Sequence, residues 1–236
     1  LFAIPWHDRV LIGTTDTPVD EAVLEPRPLD EEVAFLLKHA ERYLTNDPTP
    51  EDVLSVFAGL RPLVSPEGNA TTSSISRDHT LHIARSGLVT ITGGKWTTYR
   101  KMAEDTIDQA AVVAQLEDRP SVTRDLQLHG WHDDPDALGA LAVYGADAGA
   151  VRAVLEEQPG WNDALHARLP YRIGEVVWAA RHEMARTVED ILARRTRALL
   201  LDARASLDAA PTVATLLAHE LGRDATWAQD QIEAYH

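Results

Sequence analysis

The feature that most constrains the fold is a change of composition near Pro120. No Lys occurs after Lys101, and from Pro120 onward nearly every segment is short, Ala-rich and apolar at helical spacing. Before that point, apolar runs of strand length alternate with helical patterns. The chain is therefore predicted to be α+β, with a sheet-containing portion in residues 1–118 and an all-α domain in residues 119–236.

Composition narrows the class of protein. Of the 236 residues, 44% are hydrophobic and 25% are charged, which excludes a disordered or fibrous chain. The net charge of -15 would repel phosphates, so no nucleic-acid partner is predicted. Cys is absent, which excludes thiolate chemistry and favours a reducing, cytoplasmic location. The longest apolar run, 138–146, is about half of the roughly 20 residues that a membrane-spanning helix needs.

The N-terminus begins inside a strand pattern. The segment Leu1-Phe2-Ala3-Ile4-Pro5 is apolar and has no initiator Met, basic leader or helix cap. A second apolar run, from Val10 to Gly13, follows polar residues 7–9, and together the two runs predict a β-hairpin. We expect the sequence to be a fragment of a longer chain.

Periodicity predicts the remaining elements. A helix is predicted from Asp30, taken as its N-cap, to about Leu44. Three β-rich runs follow, at 53–64, 75–83 and 87–92, and they indicate a small antiparallel or mixed sheet. The second half is predicted to contain helices that start at Asp134-Pro135 and at Asp147, a single helix over 175–193, one helix after Pro211 and one near Ala225.

The strongest local signal is a strand that ends in paired glycines and opens a helix. The segment reads Thr92-Gly93-Gly94-Lys95-Trp96-Thr97-Thr98-Tyr99-Arg100. Free backbone N–H groups would meet the positive end of a helix dipole there, which suits a phosphate or an anionic ring system. A P-loop is excluded, because position 89 is Val and position 96 is Trp. The alternative is a plain strand-to-helix turn that Thr97 or Thr98 caps.

Two arginines, Arg61 and Arg77, lie in apolar, β-rich surroundings. A guanidinium in such a strand either pairs with a carboxylate or binds an anionic ligand, because burying it alone is costly. For Arg77, pairing with Asp78 is the alternative. Together with Lys95, the two arginines would suit a small phosphorylated or carboxylated substrate held by forked hydrogen bonds.

Other polar clusters give weaker indications. The histidines of His129-Gly130-Trp131-His132 lack acidic ligands and the His-Glu-x-x-His spacing, so no metal is predicted. The arginines between residues 181 and 197 are interpreted as a solvated or ion-paired helix face. Asp16 is either a turn-forming residue or a site carboxylate, and spacing alone does not decide between them.

As a set, the motifs resemble the FAD-dependent, quinone-linked glycerol-3-phosphate dehydrogenases. The segments that carry the resemblance are Ile4-Pro5-Trp6 with Ile12-Gly13-Thr14-Thr15-Asp16-Thr17, Ala58-Gly59-Leu60-Arg61-Pro62-Leu63, Ser76-Arg77-Asp78-His79, and the run from Gly93 to Glu104. Tyr171 and the run 175–197 resemble the helical C-terminal domain of the same family, so the resemblance covers nearly the whole chain.

The resemblance implies the C-terminal half of such an enzyme, because the Gly-x-Gly-x-x-Gly turn that binds the FAD diphosphate is absent. Residues 1–118 would hold part of the substrate domain and the returning strand and helix of the FAD domain. The implied reaction is oxidation of sn-glycerol 3-phosphate to dihydroxyacetone phosphate, with hydride transfer to FAD and electrons passing to quinone or another acceptor.

The resemblance also implies the site residues. By matching motif, Arg61, Arg77 and Lys95 would be catalytic and would bind the substrate. The residues that bind the cofactor would be Gly93, Gly94, Lys95, Trp96, Thr97 and Thr98. His79 is given no catalytic role, and no general base is identified.

Partners and location follow in the same way. The family implies peripheral contact with a membrane, at the cytoplasmic face of the inner membrane, and leaves a homodimer open. The fragment by itself is expected to be inactive, because it lacks most of the FAD site. The alternative is that residues 120–236 form a non-catalytic helical interaction or dimerisation module of the same parent chain.

Overall fold

The computed structural model describes residues 1–61 and 79–236. Within that part of the chain the strands and α-helices are, in order, β1 (Phe2–Trp6), β2 (Arg9–Gly13), α1 (Asp30–Ala40), β3 (His79–Ile83), β4 (Val89–Gly93), α2 (Tyr99–Val113), α3 (Ala148–Glu157), α4 (Ile173–His182), α5 (Ala198–Leu201), α6 (Ala203–Leu221) and α7 (Ala225–Tyr235). Short 3₁₀ segments lie at Pro50–Asp52, Trp96–Thr98, Thr123–Asp125 and Pro135–Asp147, and a π-helical turn lies at Asp190–Arg195. The predicted α+β class is confirmed.

The chain divides into two compact units. The helical unit comprises Leu1–Thr17, Glu25–Ala58 and His129–His236, and the turn unit comprises Pro18–Leu24 and Gly59–Leu128. The predicted domains, 1–118 and 119–236, follow composition rather than contact, and they stay a prediction.

The helical unit has an extensive buried core. Ile191 and Leu217 are completely buried in its larger cluster, against which Trp6 of the N-terminal hairpin packs. A second cluster joins α3 to α4 through Val151 and Val177, which are also completely buried. The apolar faces of these helices therefore cover one another.

Both pairs of strands are antiparallel hairpins. The predicted N-terminal hairpin is confirmed, with Ile4 of β1 opposite Leu11 of β2. In the turn unit, His79 of β3 lies opposite Gly93 of β4. Among the described residues the strands form two separate two-stranded sheets, the predicted N-terminal hairpin and the pair β3–β4.

The β-rich run predicted at 53–64 is not a strand in its described part, residues 53–61. Its polar groups bind helix termini instead. The Ala203 N–H donates to the Leu54 carbonyl at 3.0 Å, and the Ser55 hydroxyl donates to the Leu199 carbonyl at 2.7 Å. The terminal groups of α5 and α6 therefore take the place of a neighbouring strand.

The single helix predicted over 175–193 is wrong, because the chain forms two elements there. The first, α4, ends at His182, and Met184 has a positive φ of 56° with its side chain 75% exposed. The Asp190 carboxylate then accepts the N–H groups of Arg186 at 2.9 Å and Thr187 at 3.1 Å, which caps the π-helical turn. The apolar period continues across this break, so periodicity alone predicts one helix.

The helix predicted after Pro211 begins earlier, at Ala203, and contains Pro211 in its interior. Its start is fixed by Asp202, whose buried side chain accepts the Ala205 N–H at 3.0 Å. The prediction placed Pro in the first turn of the helix, where it is most often found, and missed the aspartate cap upstream.

Other helix starts agree more closely with the sequence. Asp134 caps the predicted start at Pro135 by accepting the Ala137 N–H at 3.3 Å. The helix predicted near Ala225 is α7. Asp30, predicted as the N-cap of α1, is its first residue instead, because the cap position belongs to Leu29.

One helical stretch, Pro135–Glu157, is long and apolar enough to cross a membrane, judged by length and composition only. Its most apolar part is 33% buried in the structure. The backbone is broken at Gly139 and Gly145, where φ is 57° and 52°. The second part of the stretch, α3, buries Val151 and Leu155 in the core of the helical unit. In the structure the stretch therefore packs as part of that core.

Candidate functional site

The predicted strand-to-helix turn lies in the turn unit. β4 ends at Gly93, and the chain passes through Gly94 and Lys95 into the 3₁₀ segment Trp96–Thr98 and then α2. Gly93 and Gly94 have positive φ angles of 77° and 81°, which residues other than glycine rarely adopt. A Cβ added at Gly94 would lie 2.3 Å from the Met102 Sδ. The sharp turn therefore requires glycine.

Thr98 forms hydrogen bonds with Lys95 at the start of the 3₁₀ segment Trp96–Thr98 and α2. The Lys95 N–H donates to the Thr98 hydroxyl at 3.2 Å, and the Thr98 N–H donates to the Lys95 carbonyl at 2.9 Å. The N–H groups of Trp96 and Thr97 have no acceptor within the helical run, because the first N–H groups of a helix point outward. With the helix dipole they make this end electropositive. Thr98 is the N-cap residue of α2 by position, but its hydroxyl bonds back to Lys95 and caps no N–H group of α2.

Lys95 differs from the cations that follow it. Among residues 1–61 and 79–236 its ammonium makes no ion pair. Lys101, in contrast, bonds to Glu104 at 2.9 Å and to Asp105 at 2.8 Å, and Arg100 also pairs with Glu104. The bond from Lys101 is the main cause that lowers the pKa of Asp105. Lys95 is thus the cation of this turn that an anionic ligand could engage.

Two exposed aromatic rings, Trp96 and Tyr99, follow Lys95 in the sequence. Trp96 is 86% exposed and Tyr99 is 47% exposed, and their rings stack with centroids 5.5 Å apart. Aromatic side chains contribute most when they are covered, so an exposed stacked pair is a candidate contact surface. Its flat apolar area suits a planar ring.

The structure describes one of the two predicted arginines. Arg61 is exposed, lies in irregular backbone and belongs to the same compact unit as Lys95. Arg77 lies outside the described residues. The assignment of Arg61, Arg77 and Lys95 to catalysis and substrate binding stays a prediction, as does the assignment of residues 93–98 to the cofactor.

A histidine without a role in the sequence analysis lies directly behind the turn. His79 Nε2 is 2.9 Å from Asp105 Oδ2, and the two side chains are 21% and 29% exposed. The His79 Cβ is 3.4 Å from the position that a Cβ on Gly94 would take. His79 and Asp105 are 26 residues apart, so no local motif indicates the pair.

Asp105 also belongs to a group of three carboxylates on α2, with Glu104 and Asp108, whose oxygens are close enough to share a cation. Lys101 already binds two of the three, and Asp108 is exposed. Neighbouring acids on an exposed helix face are common without a metal ion. The group therefore identifies no metal centre, and the absence of metal stays a prediction.

The helical unit offers two concavities as alternative places for a ligand. One is an open groove of about 510 Å³, lined by apolar residues that include Trp161, Ile173 and Leu216. The other, about 240 Å³, is lined in part by Arg152 and by Glu175, which is 5% exposed. The groove has few polar groups to orient a ligand, so the second concavity is the stronger alternative.

The carboxylate of Glu175 is already used by the fold. It accepts the Tyr144 hydroxyl at 2.7 Å and the Arg172 N–H at 2.6 Å, and the second bond caps the start of α4. Burial raises the pKa of Glu175 and also the pKa of Tyr144. Because both of its oxygens have partners, Glu175 presents no unsatisfied oxygen to a ligand in this concavity.

Three of the arginines between residues 181 and 197, namely Arg181, Arg194 and Arg195, form ion pairs inside the helical unit, in agreement with the interpretation from the sequence. Arg181 binds Glu157 at 2.7 Å and Glu220 at 2.6 Å. Arg194 binds Glu189 at 2.8 Å. The charges of Arg181 and Arg194 are therefore used within the helical unit.

Comparisons with known proteins identify a family for the part of the chain that contains the Gly93–Thr98 turn. A family model described as the C-terminal domain of alpha-glycerophosphate oxidase matches residues 88–228. The chain is 36% identical to the mitochondrial glycerol-3-phosphate dehydrogenase of Homo sapiens and 35% identical to the probable mitochondrial glycerol-3-phosphate dehydrogenase of Caenorhabditis elegans, in each case over 99% of this chain and 35% of the relative.

A solved structure of glycerol-3-phosphate dehydrogenase from Bacillus halodurans, complexed with FAD, is also similar. It has a TM-score of 0.75 and 25% identity, and the match covers 98% of this chain and 49% of that one. The chain spans about a third of the length of the curated relatives named above. The family model covers more than half of the chain and includes the whole turn from Gly93 to Thr98. The chain therefore belongs to the FAD-dependent glycerol-3-phosphate dehydrogenase family, whose C-terminal domain it carries.

Proposed function

We propose that this chain is the C-terminal portion of a flavoprotein that oxidises sn-glycerol 3-phosphate to dihydroxyacetone phosphate. The names of its relatives support the reaction, and the FAD in the Bacillus halodurans structure supports the cofactor. The observation that carries the proposal is the Lys95 ammonium. It makes no ion pair among the described residues and lies at the electropositive start of a helical run.

The donor set of the turn fits one edge of a flavin ring. The N–H groups of Trp96 and Thr97 and the ammonium of Lys95 are electropositive, and the stacked rings of Trp96 and Tyr99 offer a flat surface. FAD, when bound, accepts the hydride and gains negative charge on its ring. A turn whose donors are already fixed in place stabilises that charge without reorganisation. Residues 93–98 are therefore proposed to contact the ring.

Three cations are proposed to hold the substrate. The guanidinium groups of Arg61 and Arg77 suit the phosphate dianion through paired hydrogen bonds, and Lys95 adds a point charge. Anchoring the phosphate end restricts the rest of the molecule, so the C2–H bond is directed toward the flavin.

One face of α2 carries exposed apolar side chains that a larger flavin domain could cover. Tyr99 and Ile107 are 47% and 67% exposed, and their spacing places them on the same side of the helix. In the proposed flavoprotein this face packs against the remaining part of the FAD domain. The chain by itself is accordingly proposed to be inactive.

The test is a visible absorption spectrum of the purified parent protein under anaerobic conditions, before and after addition of glycerol 3-phosphate. We expect a flavin band that glycerol 3-phosphate bleaches and that glycerol does not, because the proposed cations bind the phosphate. A parent protein without flavin contradicts the proposal. Equal bleaching by glycerol contradicts the phosphate assignment.

Substitution of Lys95 tests the residue that carries the proposal. Lys95→Met removes the charge and keeps a side chain of similar length, and we expect kcat/KM for glycerol 3-phosphate to fall by about 100-fold or more. Lys38→Met, which removes another exposed lysine on α1, is the matched control with unchanged kinetics. Arg61→Ala should chiefly raise KM. Wild-type kinetics in Lys95→Met would remove Lys95 from the site.

We further propose that the electrons pass to a quinone at the cytoplasmic face of the inner membrane. Reoxidation of the same reduced protein by a short-chain quinone, faster than by oxygen, is the expected result. The alternative function, a non-catalytic helical interaction module, requires instead a flavin-free protein that self-associates through residues 120–236. A flavin-containing protein that glycerol 3-phosphate reduces excludes that alternative as the main function.

A further inference from the structure

The His79–Asp105 pair connects the strands of the turn unit to α2. His79 is paired with Gly93 across the β3–β4 sheet. The chain then turns through Gly94, and α2 brings Asp105 back to His79 at 2.9 Å. The strand pairing and the side-chain bond therefore close a ring of contacts around Gly94.

Gly94 lies between a side chain of β3 and a side chain of α2. A Cβ there would lie 2.3 Å from the Met102 Sδ on α2 and 3.4 Å from the His79 Cβ on β3. The Met102 thioether is the flexible end of a side chain, whereas the His79 Cβ would be in ordinary contact with a Cβ at this position, so Gly94 lies close to β3. A change in the spacing between β3 and α2 would move Gly94 and the Lys95 turn that follows it.

The bond between the two side chains is charge-assisted. Lys101 donates to Asp105 at 2.8 Å, and this bond keeps the pKa of Asp105 below its usual range. An ionised carboxylate can only accept hydrogen bonds, so the proton between the pair belongs to His79 Nε2. Hydrogen bonds to ionised groups are stronger than neutral ones, so this bond can hold His79 of β3 to Asp105 of α2.

We propose that His79 is a positioning residue for the cofactor-facing turn. Through Asp105 it fixes the spacing between β3 and α2, and it thereby holds Lys95 and the start of the helical run in the orientation that binds the flavin ring. The inference rests on the function proposed above for the turn. His79 acts through Asp105 and the backbone rather than by touching substrate.

The first arm of the test measures the turn without flavin. His79→Phe removes the hydrogen bond and keeps an aromatic ring, and we expect hydrogen exchange at the Lys95 and Thr98 amides of the apoprotein to become about 10-fold faster. The matched control is His82→Phe, an exposed histidine on the opposite face of β3, which should leave exchange unchanged. Trypsin cleavage after Lys95 should accelerate in parallel, whereas cleavage after Lys38 should not.

The second arm measures the affinity of the parent protein for FAD. His79→Phe and Asp105→Ala should each raise the Kd for FAD by about 10-fold, because both lose the same bond. The double variant should be no weaker than either single variant, since the effects are not additive for partners in one bond. Asp108→Ala, an exposed acid on the same helix, is the control. His79→Gln keeps an N–H donor and should recover most of the affinity.

The outcomes separate this inference from the function on which it rests. Faster exchange with unchanged FAD affinity overturns the positioning role, as does unchanged exchange. Equal losses in His79→Gln and His79→Phe also overturn it, because ring packing and not the bond would then be responsible. A wild-type parent protein without affinity for FAD overturns the proposed function itself, and the positioning role toward flavin with it, whatever the exchange arm reports.

Discussion

The helical unit and the turn unit differ in how they treat their apolar side chains. In the helical unit, Ile191 and Leu217 are completely buried. Among the described residues of the turn unit no hydrophobic side chain is buried, and Trp96 and Ile107 are 86% and 67% exposed. The helical unit thus has a core of its own, while the turn unit offers surfaces. Stability is expected to depend on the first and ligand contact on the second.

The largest effect should come from truncating the core. Ile191→Ala in the 236-residue chain should lower the free energy of unfolding by about 2–5 kcal/mol, because it leaves a cavity among packed helices. Ile107→Ala makes the same chemical change at an exposed position of α2, and it should change the free energy of unfolding by no more than about 0.5 kcal/mol. Urea denaturation followed by circular dichroism measures both.

Similar losses in the two variants would break the comparison, because Ile107 would then be covered in solution. The same pair sharpens the comparison in the parent protein. There the cost of Ile107→Ala should increase, since the proposed flavin domain covers this face of α2.

A smaller effect is expected from two glycine substitutions. Gly94→Ala places a side chain at a φ of 81° and should destabilise the turn by about 1–2 kcal/mol, seen as faster exchange of the Lys95 amide. Gly149→Ala is the control, because Gly149 lies in α3 with open space at its Cβ position. It should stabilise the helical unit by about 0.5–1 kcal/mol. Effects of the same sign at both sites would show that Gly94 is not held by its backbone conformation.

The smallest effect concerns the pH dependence of two acids. Burial raises the pKa of Glu175 above its ordinary 4.5, so its favourable contribution is complete below that value and is lost as the pH rises through the folded-state pKa. Relative to Glu175→Gln, the wild type should lose stability from about pH 4.5 upward. Denaturation curves of both proteins between about pH 3 and pH 8 measure this difference.

Asp105 in the turn unit should show the opposite sign. Its pKa is lowered, chiefly by Lys101, so its contribution is present above the ordinary pKa of 3.8 and is lost as the pH falls through the folded-state value. Relative to Asp105→Asn, the wild type should lose stability on acidification. The same pH trend for both acids would contradict the difference between a carboxylate whose pKa burial raises and one whose pKa an ion pair lowers.

The sequence predicted those parts of the fold whose signals are local. The hairpin at residues 1–13 and the cap at Asp134 depend on neighbouring residues, and both are present. The break after His182 was missed because the apolar period continues through it. The segment at 53–61 was misread as a strand, because its partner groups at Leu199 and Ala203 are far away in the sequence.

The candidate site shows the same division. Paired glycines followed by Lys95 predict a sharp strand-to-helix turn, and the structure contains it. The exposure of the Trp96 ring and the absence of an ion pair at Lys95 among the described residues could not be read from spacing. The His79–Asp105 bond could not be predicted either, because nothing local marks the two as partners.

By itself, the sequence determined the helical C-terminal half, the glycine turn and the family resemblance. Each of these depends on residue type and on spacing over a few positions, where backbone sterics and periodicity decide the outcome. Only the tertiary structure decided which acid holds His79, how Glu175 is buried and where residues 53–55 bind. Those contacts join residues tens of positions apart, and their partners are selected by how the helices and strands pack rather than by any local preference.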